Sequence, residues 1–270
     1  MRYSDAGQTL IAGGRDGVPS GAEALLGGVY ALLGGVYNGI GQPNRCAEWS
    51  RALLARGSDP RGLVTAALVS ALLMAGSGHE AMAAADGMVD GAEASSNPWA
   101  LSQTLFMYGM ACCDADPLRA GDALRRGLAI AQDSGNRYYE SLLAIVLGRL
   151  EAQHGDPLAA LDHLTLAIRN HHNSGNTAVI RVPLAILATF LHWLGRDEPA
   201  ATIAGYAFNR LTAAWIPELR PTVTQLREVL GDQTYESLAR KGETMTTAAM
   251  ATYAYDQIDQ ARTELKAVAK

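Results

Sequence analysis

Residues Gly155–Arg196 read GDPLAALDHLTLAIRNHHNSGNTAVIRVPLAILATFLHWLGR. Asp156-Pro157 opens a helix: the Asp side chain caps unpaired N–H groups, and Pro takes the first helical position, where an N–H is not needed. Leu158, Leu161, Leu164, Ala167 and Ile168 then recur at three- and four-residue steps, the apolar stripe of an amphipathic helix. Ser174-Gly175-Asn176 reads as a stop, because Gly and Asn both tolerate the left-handed conformation that ends helices. A second helix follows. Pro183 makes it start late or kink, and Gly195-Arg196-Asp197-Glu198-Pro199 opens the next.

The same signals recur on either side. Asn97, Asn136 and Asn176 lie 39 and 40 residues apart, in Ser96-Asn97-Pro98, Ser134-Gly135-Asn136 and Ser174-Gly175-Asn176. Asp116-Pro117 and Asp156-Pro157 are 40 apart, half a unit out of step with the first series. Two interleaved series with one period define a repeat of helix A, turn, helix B, turn. Small residues hold equivalent columns: Gly109, Gly148 and Ala188 in helix A, and Ala120 and Ala160 in helix B. Carried backwards, the period gives a unit of about Ser58 to Ser96 and a weaker one of about Ser20 to Gly57; forwards, it gives one of about Thr177 to Ala214. The expected fold is all-α: a right-handed α-solenoid of about five antiparallel helix pairs. A loose segment at 1–20 precedes repeats at 21–215, and capping helices follow at 216–270.

Composition agrees. Of 270 residues 47 are Ala and 6% are aromatic, which suits closely packed helices and suits sheets poorly. The net charge of −5 carries no basic patch, which argues against direct nucleic-acid binding. Three cysteines (Cys46, Cys112 and Cys113) and no signal-peptide pattern in MRYSDAGQTL point to the cytoplasm. The uncharged stretches 24–44 and 62–78 are broken by Gly, Ser or Asn and read as buried helices, not membrane spans.

Catalytic motifs are missing from the sequence: no P-loop, dinucleotide fingerprint, zinc-protease motif, Cys pair at redox spacing or nucleophile elbow occurs. The chain therefore reads as no enzyme, with no cofactor and no metal. Four further features have plainer readings. The doubled LLGGVY at 25–37 is a packing helix; as a phosphate loop it lacks the Lys and Ser/Thr. His163 and His171, with Asp162 or His172, have partial metal spacing, but they read as a solvated helix end. Cys112-Cys113 sits beside Asp114 and Asp116, which raise a thiol pKa, so a buried pair is expected. Gln225–Gly242 has the outline of a helix-turn-helix, yet its second helix carries Tyr235, Glu236, Arg240 and Lys241, a poor base-reading set.

One strip is a candidate for partner binding. Ser102, Ser141 and Arg181 are repeat-equivalent on the helix A series, with Arg137 and Tyr138 beside them. In helical solenoids one helix series lines the concave binding face. The alternative is a row of ordinary solvated polar positions.

The array GLAIAQDSGN (Gly127–Asn136) with Gly155–Arg196 resembles tetratricopeptide-type repeats. The tail LREVLGDQTYESLARKGETMTTAAMATYAYDQID (Leu226–Asp259) is similar to the closing pattern of a bacterial signalling family. In that family a class III adenylate cyclase or LuxR-type regulator and a STAND-type ATPase precede a C-terminal helical region. The resemblance runs from about Ser58 to Leu265. It implies a sensor or interaction module with a protein, peptide or small-effector partner, or a fragment of such a regulator. The family's cyclase residues, phosphate loop and recognition helix have no matching positions here.

Overall fold

The computed structural model describes residues 42–55, 59, 62–94 and 96–268. The segment at 1–20 and the duplication at 25–37 lie outside these. Among the described residues the chain is helical, with no strand. It forms two compact units that divide between Asp116 and Pro117.

The first unit contains α1 (Pro43–Leu54), α2 (Leu63–Met74), α3 (Gly78–Ala85), α4 (Met88–Ala94) and α5 (Pro98–Cys112). Helix α2 packs on α1, α3 and α5, and α3 and α4 both pack on α5. Cys46, Val69, Ala71, Leu72, Ala81, Ala85 and Leu105 form its buried core. The period predicts one helix A and one helix B between about Ser58 and Ser96. The structure instead splits helix B into α3 and α4, because Asp86 leaves the helical conformation and Gly87 adopts φ 83°.

The second unit contains α6 (Pro117–Asp133), α7 (Arg137–His154), α8 (Pro157–Asn173), α9 (Arg181–Trp193), α10 (Asp197–Ala207), α11 (Arg210–Trp215), α12 (Leu219–Leu230), α13 (Asp232–Glu243) and α14 (Thr247–Val268). From α6 to α10 each helix packs on the next. The tail then folds back: α12 lies on α9 and α10, α13 on α10 and α12, and α14 on α8 and α10. Of the stripe, Leu161, Leu164, Ala167 and Ile168 are fully buried, and Leu158, in the first turn, is half-buried.

The repeat markers work, with one correction. Gly135, Gly175 and Gly195 have φ of 68°, 68° and 75° and supply the left-handed stop. The N–H groups of Asn136, Asn176 and Arg196 reach back to the carbonyls of Ala131, His171 and Leu191 at 2.7, 2.9 and 2.8 Å, closing a Schellman turn. Asn is therefore not a left-handed stop residue. Its side chain starts the next helix in two of the three cases: Asn97 Oδ1 accepts from Trp99 N–H at 3.0 Å and Asn136 Oδ1 from Tyr139 N–H at 3.3 Å, whereas Asn176 Oδ1 accepts from Val179 N–H at 3.2 Å within the turn ahead of α9. Asp156 caps α8 through Leu158 N–H at 2.8 Å. Asp197 departs from this pattern, lying inside α10 with Oδ1 2.6 Å from His192 Nδ1. Pro183 is the third residue of α9, which starts late and needs no kink.

Candidate functional site

The five residues of the candidate strip do not share a surface role. Ser102 is fully buried, and its hydroxyl donates to the Pro98 carbonyl at 2.7 Å. Ser141 is buried too and donates to the Arg137 carbonyl at the same distance. This bond, one turn back along the helix, satisfies a hydroxyl without water, so a helical Ser is no marker of an exposed face. Arg181 donates to the Tyr206 carbonyl, and its guanidinium lies 4.4 Å from the centre of the Tyr206 ring, tying α9 to α10. Arg137 reaches Glu140 at 2.8 Å. Glu140 is buried and also accepts from Asn170 at 3.1 Å and Gln132 at 3.4 Å, so its carboxylate knots the ends of α6, α7 and α8. Tyr138 is 63% exposed and meets Tyr139 edge to face.

Trp99 takes the place of Tyr138 in the preceding repeat, two residues after its capping Asn, and it is 47% exposed. Large aromatics at one repeat position thus stand open to solvent in both units.

Among the described residues no three His, Cys, Asp or Glu side chains are grouped to hold a metal ion. Asp162 is taken by Arg262 at 2.6 Å. The reading of His171 as solvated is corrected: only 5% of it is exposed, and Nε2 is buried without a hydrogen-bond partner. Burial lowers its pKa, because a desolvated ring favours the neutral form. Burial also lowers the pKa of His163, against the opposing charges of Glu151 and Asp162 and with help from Arg125. All three cysteines are buried thiols, and burial raises that of Cys46. In the helix-turn-helix outline, Tyr235, Ala239 and Gly242 of α13 are buried, and Arg227 is paired with Asp232 and Glu236. No helix among the described residues is long and apolar enough to cross a membrane.

Sequence reasoning missed one constellation. Arg149 and Gln153 are four apart on α7 and therefore share a face. Both reach Glu218, just ahead of α12: Arg149 Nε at 3.1 Å, Nη2 at 2.5 Å and Gln153 Nε2 at 2.5 Å, all on the single oxygen Oε1. Beside them is a cavity of about 10 Å³, lined also by Ala152, Ile186, Ile216 and Trp193. The first unit holds a larger cavity of about 380 Å³ near Leu54, Leu68 and Met88. The Asp59 carboxylate on its wall is spent on Thr65 N–H at 2.7 Å.

Neither a protein-family model nor a curated protein matches the chain.

Proposed function

We propose that the chain is a non-catalytic interaction or sensor module: a tetratricopeptide-like solenoid of about five helix pairs in a bacterial signalling or transcription-regulatory protein. Its partner is a protein, a peptide or a small effector. The observation that carries this reading is the recurrence of an exposed aromatic, Trp99 then Tyr138, at one position of the repeat. Solvent-facing rings held on rigid capped helices are what binding surfaces use for anchoring. The test is affinity capture from lysate of the source cells. The wild-type chain retains a specific partner, and Trp99→Ala with Tyr138→Ala reduces retention. Undiminished retention by the double variant would remove these two rings from the reading, and no partner or effector for the wild type would sink it.

A second reading is a fragment of a cyclase- or ATPase-linked regulator, supported by the pattern of Leu226–Asp259. An immunoblot of the source cells separates the two. A band well above 28.5 kDa places the missing activities on the same polypeptide.

A further inference from the structure

Phe208 leaves the end of α10 in extended backbone, its N–H still bonded to the Ala204 carbonyl at 2.8 Å. Its ring is 39% exposed, although it carries no polar atom that water could satisfy. Two residues on, α11 begins with Arg210 and ends with Trp215, which is 50% exposed. That helix is only about 9 Å long by the rise of an α-helix. Arg220, near the start of α12, returns over Phe208, with its guanidinium carbon 5.8 Å from the ring centre. One short excursion of the chain thus carries two exposed rings and two exposed arginines. The charge is unbalanced here. Between Glu198 and Glu228 the chain holds three arginines and a single carboxylate, that of Glu218. Glu218 is held by Arg149, and Arg227 by Asp232 and Glu236. Arg210 and Arg220 remain, and neither forms an ion pair with a described residue. In the same unit Arg181, Arg196 and Arg262 are spent on carbonyls and a carboxylate.

We propose that Phe208, Arg210, Trp215 and Arg220 form a docking surface for an acidic peptide. Its carboxylates pair with the two arginines, and an apolar side chain between them covers the Phe208 ring. A guanidinium presents a planar fork of N–H donors that matches a carboxylate. Lying over a ring engages its face and leaves that edge to a ligand. Arginine and large aromatic side chains are also where binding energy concentrates in interfaces. Two cations match two carboxylates. Nucleic acid and anionic lipid surfaces reward many cations at once, and the net charge of −5 repels them. The surface is pre-organised. Asn209 caps α11 through Thr212 N–H at 2.8 Å, and Arg181 grips Tyr206 just ahead of Phe208, so little backbone freedom is lost on docking. A short peptide should bind with a dissociation constant of about 0.1 mM. The proposal rests on the reading of the chain as an interaction module and adds the chemistry of a partner.

The test is fluorescence anisotropy of rhodamine-labelled Glu-Glu-Leu-Glu-Glu titrated with the full chain at constant ionic strength. Gln-Gln-Leu-Gln-Gln and Glu-Glu-Gly-Glu-Glu serve as matched probes. The glutamine probe should bind at least about tenfold more weakly, and the glycine probe about threefold. Arg210→Ala and Arg220→Ala should each weaken the acidic probe about fivefold, the upper range for exposed ion pairs, and Phe208→Ala about tenfold. If Phe208→Ala fails to fold, Arg210→Glu with Arg220→Glu carries the test. That chain should lose Glu-Glu-Leu-Glu-Glu and gain Lys-Lys-Leu-Lys-Lys, an exchange that a merely structural role of the arginines would not produce. Equal binding of the glutamate and glutamine probes, or an unchanged preference in the charge-reversed chain, would overturn the proposal. So would a labelled decathymidylate that binds more tightly than the acidic probe and is lost on charge reversal, which would make the surface one for nucleic acid. A chain that ignores the acidic probe yet retains a lysate partner through Trp99 and Tyr138 would refute this surface and leave the module reading standing.

Discussion

The α7–α8 pair and the α10–α13 crossing both bring two helices unusually close, by different means. In the first, a Cβ placed on Gly148 would stand 2.9 Å from Cγ and Cδ2 of Leu164. In the second, backbone meets backbone. A Cβ on Gly205 would strike the main chain of Ala239, and one on Gly242 the carbonyl of Thr202. Each helix of that crossing contributes one glycine and receives the other's main chain. The Leu164 side chain is fully buried but can turn about its own bonds, whereas a helix backbone cannot yield without moving the helix. The repeat pair is thus closed by a side chain, while the tail is seated backbone to backbone.

The largest effect should separate these two designs. Gly205→Ala should lower the unfolding free energy of the second unit by ~3 kcal/mol, the upper range of overpacking costs. Gly148→Ala should cost ~1 kcal/mol or less, since Leu164 can shift and Ala gains a similar amount in helix propensity. Urea unfolding followed by circular dichroism measures both. Equal losses would mean that the two crossings share one tolerance.

That difference also marks what the sequence could convey. The α7–α8 pair was legible because its signals are local and repeated: the Asp156-Pro157 start, the Leu161–Leu164–Ile168 stripe and the Gly148 column. The α10–α13 crossing was not, because Gly205 and Gly242 sit in unlike surroundings 37 residues apart and no period links them. The role of Asn was misread for a related reason. Gly-Asn serves two helices at once, and only geometry shows that Gly135 ends one while Asn136 begins the other. The candidate strip misled because polarity stood in for exposure, and Ser102 and Ser141 satisfy themselves inside their helices. Glu218 was out of reach, since its partners on α7 are 65 and 69 residues away.

The latches on the two regions differ in the same sense. Arg196 is largely buried and holds α14 through the Gln257 carbonyl at 2.7 Å and the Gln260 side chain at 2.6 Å. Arg125 joins α6 to α7 by pairing with Glu151 at 3.0 Å, and its side chain is half exposed. Arg196→Ala should cost ~2 kcal/mol, the value of hydrogen bonds made by a charged donor. Arg125→Ala should cost ~0.5 kcal/mol or less, as exposed ion pairs do. Thermal unfolding of both variants would show whether the tail is held more firmly than the repeat holds itself.

The turns offer a finer comparison. Ser96 stands where Gly135 and Gly175 stand in the next two repeats, and it is the one non-glycine with positive φ among the described residues, at 50°. A left-handed conformation costs an L-residue ~1–2 kcal/mol. Ser96→Gly should therefore stabilise the first unit by ~1 kcal/mol, and Gly135→Ala should destabilise the second by a similar amount. Proteolysis rates near each turn would register both changes. A loss on Ser96→Gly would show that the two turns are equivalent in sequence register only.

The smallest effect concerns pH, and it again divides the α7–α8 pair from the tail. Burial holds the folded-state pKa of His171 below its ordinary 6.5. As pH falls below that value the unfolded chain takes up a proton that the folded chain does not yet accept. Stability is then lost with falling pH, and the loss levels off once the folded state protonates as well. His163, also on α8, acts with the same sign. Burial raises both Tyr139 of α7 and Tyr235 of α13, so the unfolded chain releases those protons first as pH rises above the ordinary 10. The alkaline loss is therefore shared by the two regions, and these two histidines place an acidic loss on the pair. His171→Leu should flatten the acidic limb of a stability–pH profile and leave the alkaline limb unchanged. An unaltered acidic limb would shift the acid sensitivity to His163, which shares α8 but not the unsatisfied ring nitrogen.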